Sequence, residues 1–251
     1  MTSEMVERAA ERRAAKDGNG DFVEGLARGL SVLEAFDEAH AEMTLSEVAA
    51  RTGMSPAAAR RSLHTLVRLG YMRKVQRKFV LSVRVLALGS SYLRATSCEE
   101  LLLPELRRLV AKFGDSASVA ALDGTNILYV AHYSEQRASR LIATVGTSYP
   151  AYATSLGKVL LAGLQPEHLD ACLKAMTFRR LTEATVRDRA TLEQRLAASR
   201  AQGYATSADE LDYGITSLAV PVRDVHGDVV AAINSSGYSG RVTTQSLTEE
   251  R

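Results

Sequence analysis

The stretch of chain that decides the fold is TLSEVAARTGMSPAAARRSLHTLVRLGYMRKVQRKFVL, residues 44–81. Its opening, Thr44-Leu-Ser-Glu47, has the spacing of a capping box, in which the first and last side chains bond each other's backbone amides and begin a helix. Gly53 predicts a tight turn, because glycine adopts positive φ at little steric cost. The pair Ser55-Pro56 predicts the N-cap and the first residue of a second helix. The pattern is therefore that of a helix-turn-helix.

The remainder of this stretch, residues 71–81, predicts two short strands joined by a basic loop, which is the wing of a winged helix-turn-helix. Residues 44–81 contain eight Lys or Arg and one acid, Glu47, and so carry a charge of +7, whereas the whole chain carries +2. Positive charge concentrated on such a framework is typical of proteins that bind duplex DNA.

The second helix and the wing supply the candidate DNA contacts. Ala59, Leu63 and Leu66 are expected to point inward, so that the basic residues occupy the opposite face of the helix. Taken alone, that face fits a solvated surface equally well; with the turn and the wing it predicts insertion in the major groove, while the wing cations contact phosphates. The predicted DNA-contacting residues are Ser55, Ala57, Ala58, Arg60, Arg61, His64, Arg68, Arg73, Lys74, Arg77 and Lys78.

Composition argues against several other classes of protein. The two cysteines, Cys98 and Cys172, lack CxxC spacing, and the five histidines are scattered, so neither a metal site nor another cofactor is expected. No GxSxG or HExxH motif points to an enzyme. No run approaches the ~18 apolar residues of a membrane helix, and the N-terminus lacks the apolar core of a signal peptide. We expect a cytoplasmic protein without membrane contact.

Helical patterns flank the basic stretch. Apolar residues at three- and four-residue spacing predict an amphipathic helix over Gly25–Glu38. Two further apolar helices are predicted over Val83–Thr96 and Cys98–Phe113. Their apolar faces fit contact with a second subunit and ordinary packing within the chain about equally well. The charged, alanine-rich residues 1–20 are expected to form a flexible tail.

Beyond Gly114 the pattern changes to short strands alternating with helices. Asp123-Gly124 joins two β-rich runs and is a strong hairpin signal. The mixture predicts an α+β domain of sensor type, an antiparallel sheet flanked by helices. Its further predicted strands are Leu141–Val145, Tyr204–Ala208, Ile215–Arg223 and Val229–Ser235, and its predicted helices are Ser155–Leu164, Pro166–Lys174 and Arg187–Gly203.

Five segments in this order resemble the IclR family of bacterial transcription regulators, over Asp21–Thr243. They are Gly25–Leu33, the helix-turn-helix of Thr44–Leu69, Pro150–Lys158, Gly214–Val222 and Asn234–Arg241. Three other segments, Asp21–Gly25, Tyr92–Ser97 and Asp209–Gly214, look most like the branch that regulates aromatic-acid catabolism (the PcaR, PcaU and PobR group, for protocatechuate and 4-hydroxybenzoate genes).

The resemblance implies a domain organisation and partners. It implies a tail over 1–20, a winged helix-turn-helix over 21–82, a linker helix over 83–97 and a GAF-like effector domain over 98–251. It also implies dimers, often dimers of dimers, on palindromic double-stranded DNA operators. A small organic acid would shift the affinity for DNA. Relatives usually continue into a closing helix beyond Arg241, where this chain has ten further residues.

The resemblance also implies the effector site. It places the ligand at the start of the helix after the Pro150 motif, where free amides suit a carboxylate, and beside the two late strands. Tyr133 and Tyr152 are candidates to wall an aromatic ring, although such tyrosines are more often core residues, and the serines fit strand-end capping as well. The implied set is Ala153, Thr154, Ser155, Leu156, Gly157, Asp209, Glu210, Thr216, Ser217, Asn234 and Ser236, with the two tyrosines.

The sequence is compatible with three hypotheses about the function. The favoured one is a regulator that senses an aromatic acid, as activator or repressor. Short oxo-acids such as pyruvate or glyoxylate are the alternative effectors, because the polar site residues suit them as well. The third reading is an architectural DNA-binding protein with a vestigial sensor domain.

Overall fold

A computed structural model describes residues 22–96, 98–113, 115–135, 143–240 and 242–249. The predicted tail, residues 1–20, lies outside these ranges. The chain divides into two compact units between Tyr92 and Leu93, and each unit is described by itself.

The N-terminal unit is a winged helix-turn-helix. Its three-stranded antiparallel sheet has the order β1-β3-β2, and its core is built from Val32, Val48, Leu63, Met72 and Phe79 together with neighbouring apolar side chains. The elements are α1 (Glu24–Glu34), β1 (Glu42–Thr44), α2 (Leu45–Thr52), α3 (Pro56–Arg68), β2 (Met72–Val75) and β3 (Lys78–Leu81).

The local signals for the turn between the two helices are confirmed. The Thr44 hydroxyl accepts from the amide of Glu47, whose carboxylate accepts from the amide of Thr44 at 2.7 Å. Gly53 has a φ of 66°, and the Ser55 hydroxyl accepts from the amide of Ala58 at 3.3 Å. These bonds satisfy amides that a helix start otherwise leaves unpaired.

The prediction of one helix over Gly25–Glu38 is wrong at its C-terminal end. Helix α1 ends at Glu34 and a separate 3-10 turn follows over Glu38–His40. The Asp37 carboxylate accepts from the amide of His40 at 2.9 Å. This side chain starts the new turn, because Asp bonds readily to a nearby backbone amide and so competes with the continuing helix.

The connecting segment forms a 3-10 turn over Val83–Val85, then α4 (Leu86–Thr96) and α5 (Cys98–Phe113). None of the described residues of α4 is buried, and Leu86 is 72% exposed.

The C-terminal unit is a six-stranded antiparallel sheet in the order β6-β5-β4-β9-β8-β7, with helices on both faces. On one face, Leu106 and Val110 of α5 pack against Ala117 and Val119. The opposite face packs against α6, α7 and α8. The elements are β4 (Ser116–Asp123), β5 (Asn126–Ser134), β6 (Ser148–Pro150), α6 (Ser155–Ala162), α7 (Pro166–Ala175), α8 (Arg189–Gln202), β7 (Ala205–Ala208), β8 (Ile215–Arg223), β9 (Val229–Tyr238) and α9 (Thr244–Glu249).

Two details of this unit differ from the prediction. Of the predicted strand Leu141–Val145, residues 141–142 lie outside the described ranges and residues 143–145 are not a strand; the strand is β6 instead. The chain turns just before it, because Gly146 adopts a φ of 88° and the amide of Thr144 donates to the Thr147 hydroxyl. The resemblance left open whether this chain has the closing helix that relatives usually have beyond Arg241; the short helix α9 lies there, and its Leu247 is buried.

Candidate DNA-binding surface and effector site

The outward face of α3 carries an exposed row of basic side chains. Arg60, Arg61, His64 and Arg68 are all exposed, as is Ala57. Within the ranges that the structure covers, none of the three arginines forms an ion pair, so their charge faces outward unneutralised. The ring of His64 meets the edge of the Phe79 ring, with 6.4 Å between centroids, and so joins α3 to the wing.

Ala58 does not belong to this face. Its side chain is only 7% exposed, since it lies on the inner side of α3. The prediction that its side chain contacts DNA is wrong, because only the exposed side of the helix can enter a groove. The Ser55 side chain remains exposed but is already used as the N-cap of α3.

The wing presents Arg73, Lys74 and Arg77 as exposed cations, whereas Lys78 is paired. The Lys78 ammonium lies 2.5 Å from the carboxylate of Glu42, which raises the pKa of the lysine. Antiparallel pairing of β1 with β3 brings the two together. Glu42 lies two residues before the basic stretch, so a charge count over residues 44–81 missed it.

Arg51 is the second paired cation of the stretch. Its guanidinium bonds the carboxylate of Asp37 and donates to the carbonyl of Ala35 at 2.6 Å. The outward positive charge of this unit is therefore smaller than +7 and is carried by the outer face of α3 and by the wing.

In the C-terminal unit, polar side chains form two rows across one face of the sheet. Residues directly opposite each other on antiparallel strands share a face. We call the first row the serine row; its members are Ser207, Ser217, Ser236, Ser116 and Ser134, on five successive strands. We call the second the histidine row; its members are Ala219, Asn234, Ser118 and His132.

The serine row lies on the face that meets α6. The Ser217 hydroxyl is 2.7 Å from the hydroxyl of Ser155, the first residue of α6, and both side chains are buried. Ser236 and Ser116 also bond each other across the strands, at 2.9 Å. Three of the predicted effector-site residues, Ser155, Ser217 and Ser236, are far apart in the sequence but therefore lie on or against one face of the sheet.

The histidine row is linked by hydrogen bonds. The amide of Ser118 donates to Asn234 Oδ1 at 2.9 Å, and the Ser118 hydroxyl is 2.9 Å from Nδ1 of His132. His132 is half-buried, and desolvation lowers the pKa of its imidazole. Sequence reasoning missed Ser116, Ser118 and His132. The alternation along β4 and β5 could have suggested a polar face, but not that it lies beside Asn234.

The start of α6 offers fewer free amides than predicted. Thr154 is the N-cap, and its hydroxyl accepts from the amide of Gly157 at 2.9 Å, so this amide is not available to a ligand. The amides of Ser155 and Leu156 have no partner within the helix, because the first amides of any helix lack one. The side chains of Leu156 and Ala153 are buried in the core.

Both predicted ring-walling tyrosines have other surroundings. Tyr133 packs with the α5 side of the sheet, where the guanidinium of Arg107 lies 5.4 Å from its ring centroid. It therefore faces away from its neighbour His132. The buried Tyr152 bonds the backbone of Arg179 through its hydroxyl, which accepts at 2.9 Å and donates at 3.0 Å. Tyr152 is a core residue, as the alternative interpretation held.

The side chains of Thr216 and Asp209 also form hydrogen bonds within the protein. Thr216 alternates with Ser217 and so faces the other side of the sheet, where its hydroxyl bonds that of Ser239 at 2.9 Å. The Asp209 carboxylate accepts from the amide of Gly214 at 2.7 Å and from Ser239 at 3.1 Å. These bonds close the loop between β7 and β8.

Glu210 belongs to a buried ion cluster. Its Oε1 accepts from the Lys158 ammonium at 2.6 Å and from Arg195 at 2.9 Å, and the Lys158 ammonium also donates to the carbonyl of Thr206. The side chains of Lys158 and Glu210 are only 1% and 3% exposed. Burial lowers the pKa of Lys158 to about 8, against the opposing attraction of Glu210. One oxygen of Glu210, Oε1, is therefore used internally, whereas Oε2 is buried and has no hydrogen-bond partner among the described residues, so the role of Glu210 as an acceptor for ligand hydroxyls stays a prediction.

The described residues offer neither a metal site nor a membrane-spanning helix. They contain no group of three or more His, Cys, Asp or Glu side chains placed to hold a metal ion. Among them, no helix is long and apolar enough to cross a membrane.

A winged helix-turn-helix with an exposed basic face, in one chain with a domain that has a buried polar surface, is typical of ligand-responsive transcription regulators. Two family profiles specify it further: the IclR helix-turn-helix domain matches residues 25–76, and the C-terminal domain of bacterial transcriptional regulator IclR matches residues 90–250. The chain belongs to the IclR family of transcription regulators, which bind DNA through this helix-turn-helix.

Some of the most similar relatives are regulators of aromatic-acid catabolism. The Pca regulon regulatory protein of Pseudomonas putida is 37% identical over 98% of this chain and 85% of its own length. The p-hydroxybenzoate hydroxylase transcriptional activator of Acinetobacter baylyi is 35% identical over 92% of this chain and 87% of its own. The crystal structure of an IclR homolog from Microbacterium hydrocarbonoxydans, complexed with 4-hydroxybenzoate, is 26% identical with a TM-score of 0.75, over 90% of this chain and 93% of that one.

Proposed function

We propose that this chain regulates transcription of genes for aromatic-acid catabolism and that an aromatic carboxylic acid bound in the C-terminal unit changes its affinity for DNA. The observation that carries the proposal is the buried polar surface between the start of α6 and the serine and histidine rows. The relatives named for protocatechuate- and hydroxybenzoate-type regulons and the homolog that holds 4-hydroxybenzoate support this ligand class.

The effector carboxylate is placed at the amides of Ser155 and Leu156, where unpaired N–H groups favour an anion. Ser217, Asn234 and Ser236 supply neutral hydrogen-bonding groups on the opposing sheet. The side chains of Ser217, Asn234 and Ser236 carry no charge and can donate to a carboxylate or a hydroxyl oxygen, which suits a singly charged acid.

On DNA, α3 lies in the major groove and the wing lies over the backbone. Arg60, Arg61, His64 and Ala57 face the bases, because they occupy the exposed side of the first turns of α3. Arg68, Arg73, Lys74 and Arg77 contact phosphates, and each phosphate contact adds about one unit to the salt dependence of binding.

Two copies bind a palindromic operator in the cytoplasm. Exposed apolar side chains support self-association: Leu26 and Leu30 are exposed on α1, Phe22 is exposed just before it, and Leu86 and Tyr92 are exposed on α4. Such surfaces commonly mark contacts with another chain. The domain limits proposed are 21–82, 83–97 and 98–251.

A thermal-shift screen of the full chain against benzoate derivatives and short oxo-acids tests the proposal, because a ligand that binds only the folded state stabilises it by RT ln(1 + [L]/Kd). We expect a saturable rise with an aromatic acid and a change in operator affinity at the same concentrations. Ser155→Leu removes the response, whereas Ser90→Leu on α4 keeps it. A response to oxo-acids alone assigns a different effector, and no response to either class leaves an architectural DNA-binding protein.

A further inference from the structure

His132 lies on the same face of the sheet as Ser217 and has hydrogen-bonding capacity to spare. It lies on β5 at the end of the histidine row, whereas Ser155 and Ser217 lie at β8, on the same face of the sheet. Strands β4 and β9 separate the two sites. The backbones of β5 and β8 are therefore three strand spacings apart, ~14 Å, and the side chains that project from them shorten the distance that a ligand must span.

The imidazole has one nitrogen in use and one available. Its Nδ1 is 2.9 Å from the Ser118 hydroxyl, whose own backbone amide is tied to Asn234. Among the described residues, Nε2 has no hydrogen-bond partner. When Nδ1 donates its hydrogen to Ser118, Nε2 carries a lone pair and accepts, since a neutral imidazole has one donor and one acceptor.

The surroundings keep this histidine neutral and fixed. The Tyr129 ring meets it edge to face, with 6.4 Å between centroids, and desolvation lowers its pKa. Among the residues that the structure describes, no acid is bonded to it that would favour the charged form. A neutral acceptor held in a half-buried position suits a hydroxyl group of the ligand rather than its carboxylate.

We propose that His132 Nε2 accepts a hydrogen bond from the ring hydroxyl of a hydroxybenzoate whose carboxylate lies at the amides of Ser155 and Leu156, which makes His132 a specificity-determining residue. The inference rests on the proposed function. Polar groups at opposite ends of a benzene ring, with their hydrogen bonds added, span about two strand spacings, ~10 Å. A short oxo-acid does not reach both ends of this surface.

The test measures the affinities of benzoate, 3-hydroxybenzoate and 4-hydroxybenzoate by calorimetry on the full chain and on His132→Phe, which keeps a ring but removes the acceptor. We expect the wild type to prefer 4-hydroxybenzoate over benzoate by about tenfold, the typical value of one well-placed hydrogen bond. In His132→Phe this ratio falls to about one because 4-hydroxybenzoate binds more weakly, while benzoate binding is unchanged. His132→Gln, whose amide oxygen accepts, keeps part of the ratio, and His132→Leu, which removes the acceptor, serves if the Phe variant does not fold.

Tyr133→Phe is the matched control. It changes the neighbouring residue on the opposite face of the same strand and leaves the ratio unaltered. If hydroxybenzoates bind and His132→Phe retains the full wild-type ratio, or if His132→Leu does so where the Phe variant does not fold, the assignment of His132 is wrong while the proposed function stands. If the wild type binds no benzoate derivative at all, the proposed function fails and the role of His132 fails with it.

Discussion

Replacing Glu210 by Gln should destabilise the C-terminal unit strongly and in a pH-dependent way. The substitution keeps the shape of the side chain but removes the negative charge that Lys158 and Arg195 share. Lys158 is 1% exposed, so its buried ammonium would keep only neutral acceptors, the carbonyl of Thr206 and the amide oxygen of the new Gln, and no negative charge to balance it. Breaking a buried pair in this way typically costs about 3–5 kcal/mol. For a unit of this size that corresponds to a fall in Tm of roughly 10 °C.

The pH dependence separates this mechanism from a general packing defect. Burial holds the pKa of Lys158 at about 8 in the folded wild type, below its ordinary value of 10.5. The contribution of Lys158 to wild-type stability therefore rises with pH between about 8 and 10.5, where this residue binds more protons in the unfolded chain than in the folded one. Without Glu210 the folded pKa falls further, so the variant gains stability already below pH 8. The deficit should be largest near pH 6 and should shrink as the pH approaches 8.

Urea unfolding of the full chain, followed by tyrosine fluorescence, provides the assay, because seven of the nine tyrosines follow Leu93 and the chain has no tryptophan. Asp170→Asn removes the acid of two exposed ion pairs and should change stability little at either pH. Combining Glu210→Gln with Lys158→Met should be less harmful than the sum of the two single changes, since the double variant leaves no buried ammonium unpaired. A deficit that is under about 1 kcal/mol, or equal at pH 6 and pH 8, contradicts a buried ion pair of this kind.

Further outcomes follow from single contacts. Gly157→Ala should destabilise the C-terminal unit by more than about 3 kcal/mol, because a Cβ there would lie 2.1 Å from the carbonyl oxygen of Ala151. Gly29→Ala should instead stabilise α1 by about 0.5–1 kcal/mol, because nothing lies within 4 Å of its added carbon. Chemical denaturation of both variants checks the two predictions. Thr44→Ala removes an N-cap and should cost about 1 kcal/mol in the same assay; an unchanged midpoint would speak against the capping box. Arg77→Ala should lower the slope of log K against log salt by about one unit in operator binding, and Lys78→Ala by less, because Glu42 already neutralises that lysine. Glu42→Gln should conversely strengthen DNA binding at low salt, and equal salt slopes for the two wing variants would show that the Glu42–Lys78 pair does not persist in the complex.

Much of the candidate DNA-binding surface could be predicted because its signals are local. A capping box joins residues three apart, and a turn glycine or an N-cap acts on its immediate neighbours. Thr44, Gly53 and Ser55 therefore predicted the helix-turn-helix, and the charge of the second helix indicated DNA as its partner. The same reasoning failed where a distant residue intervened, as Glu42 does at Lys78.

The effector site was predictable only in part. The resemblance led to Ser155, Ser217, Asn234 and Ser236, which the structure places on or against one face of the sheet. It also led to Asp209 and Glu210, whose carboxylates bond framework groups, and to Tyr133, which faces the other side. Residue type and motif position do not say which face of a strand a side chain occupies once the sheet is assembled, nor whether a carboxylate already has a partner.

The sequence by itself thus determined the winged helix-turn-helix and the alternation of strands and helices that follows it, because caps, turns and periodicity act over a few residues. Only the tertiary structure decided which side chains share the polar surface and which are used internally. Ser118 meets Asn234 across 116 positions, and Lys158 meets Glu210 across 52. Such partners are brought together by strand order and helix packing, which depend on the whole unit folding at once.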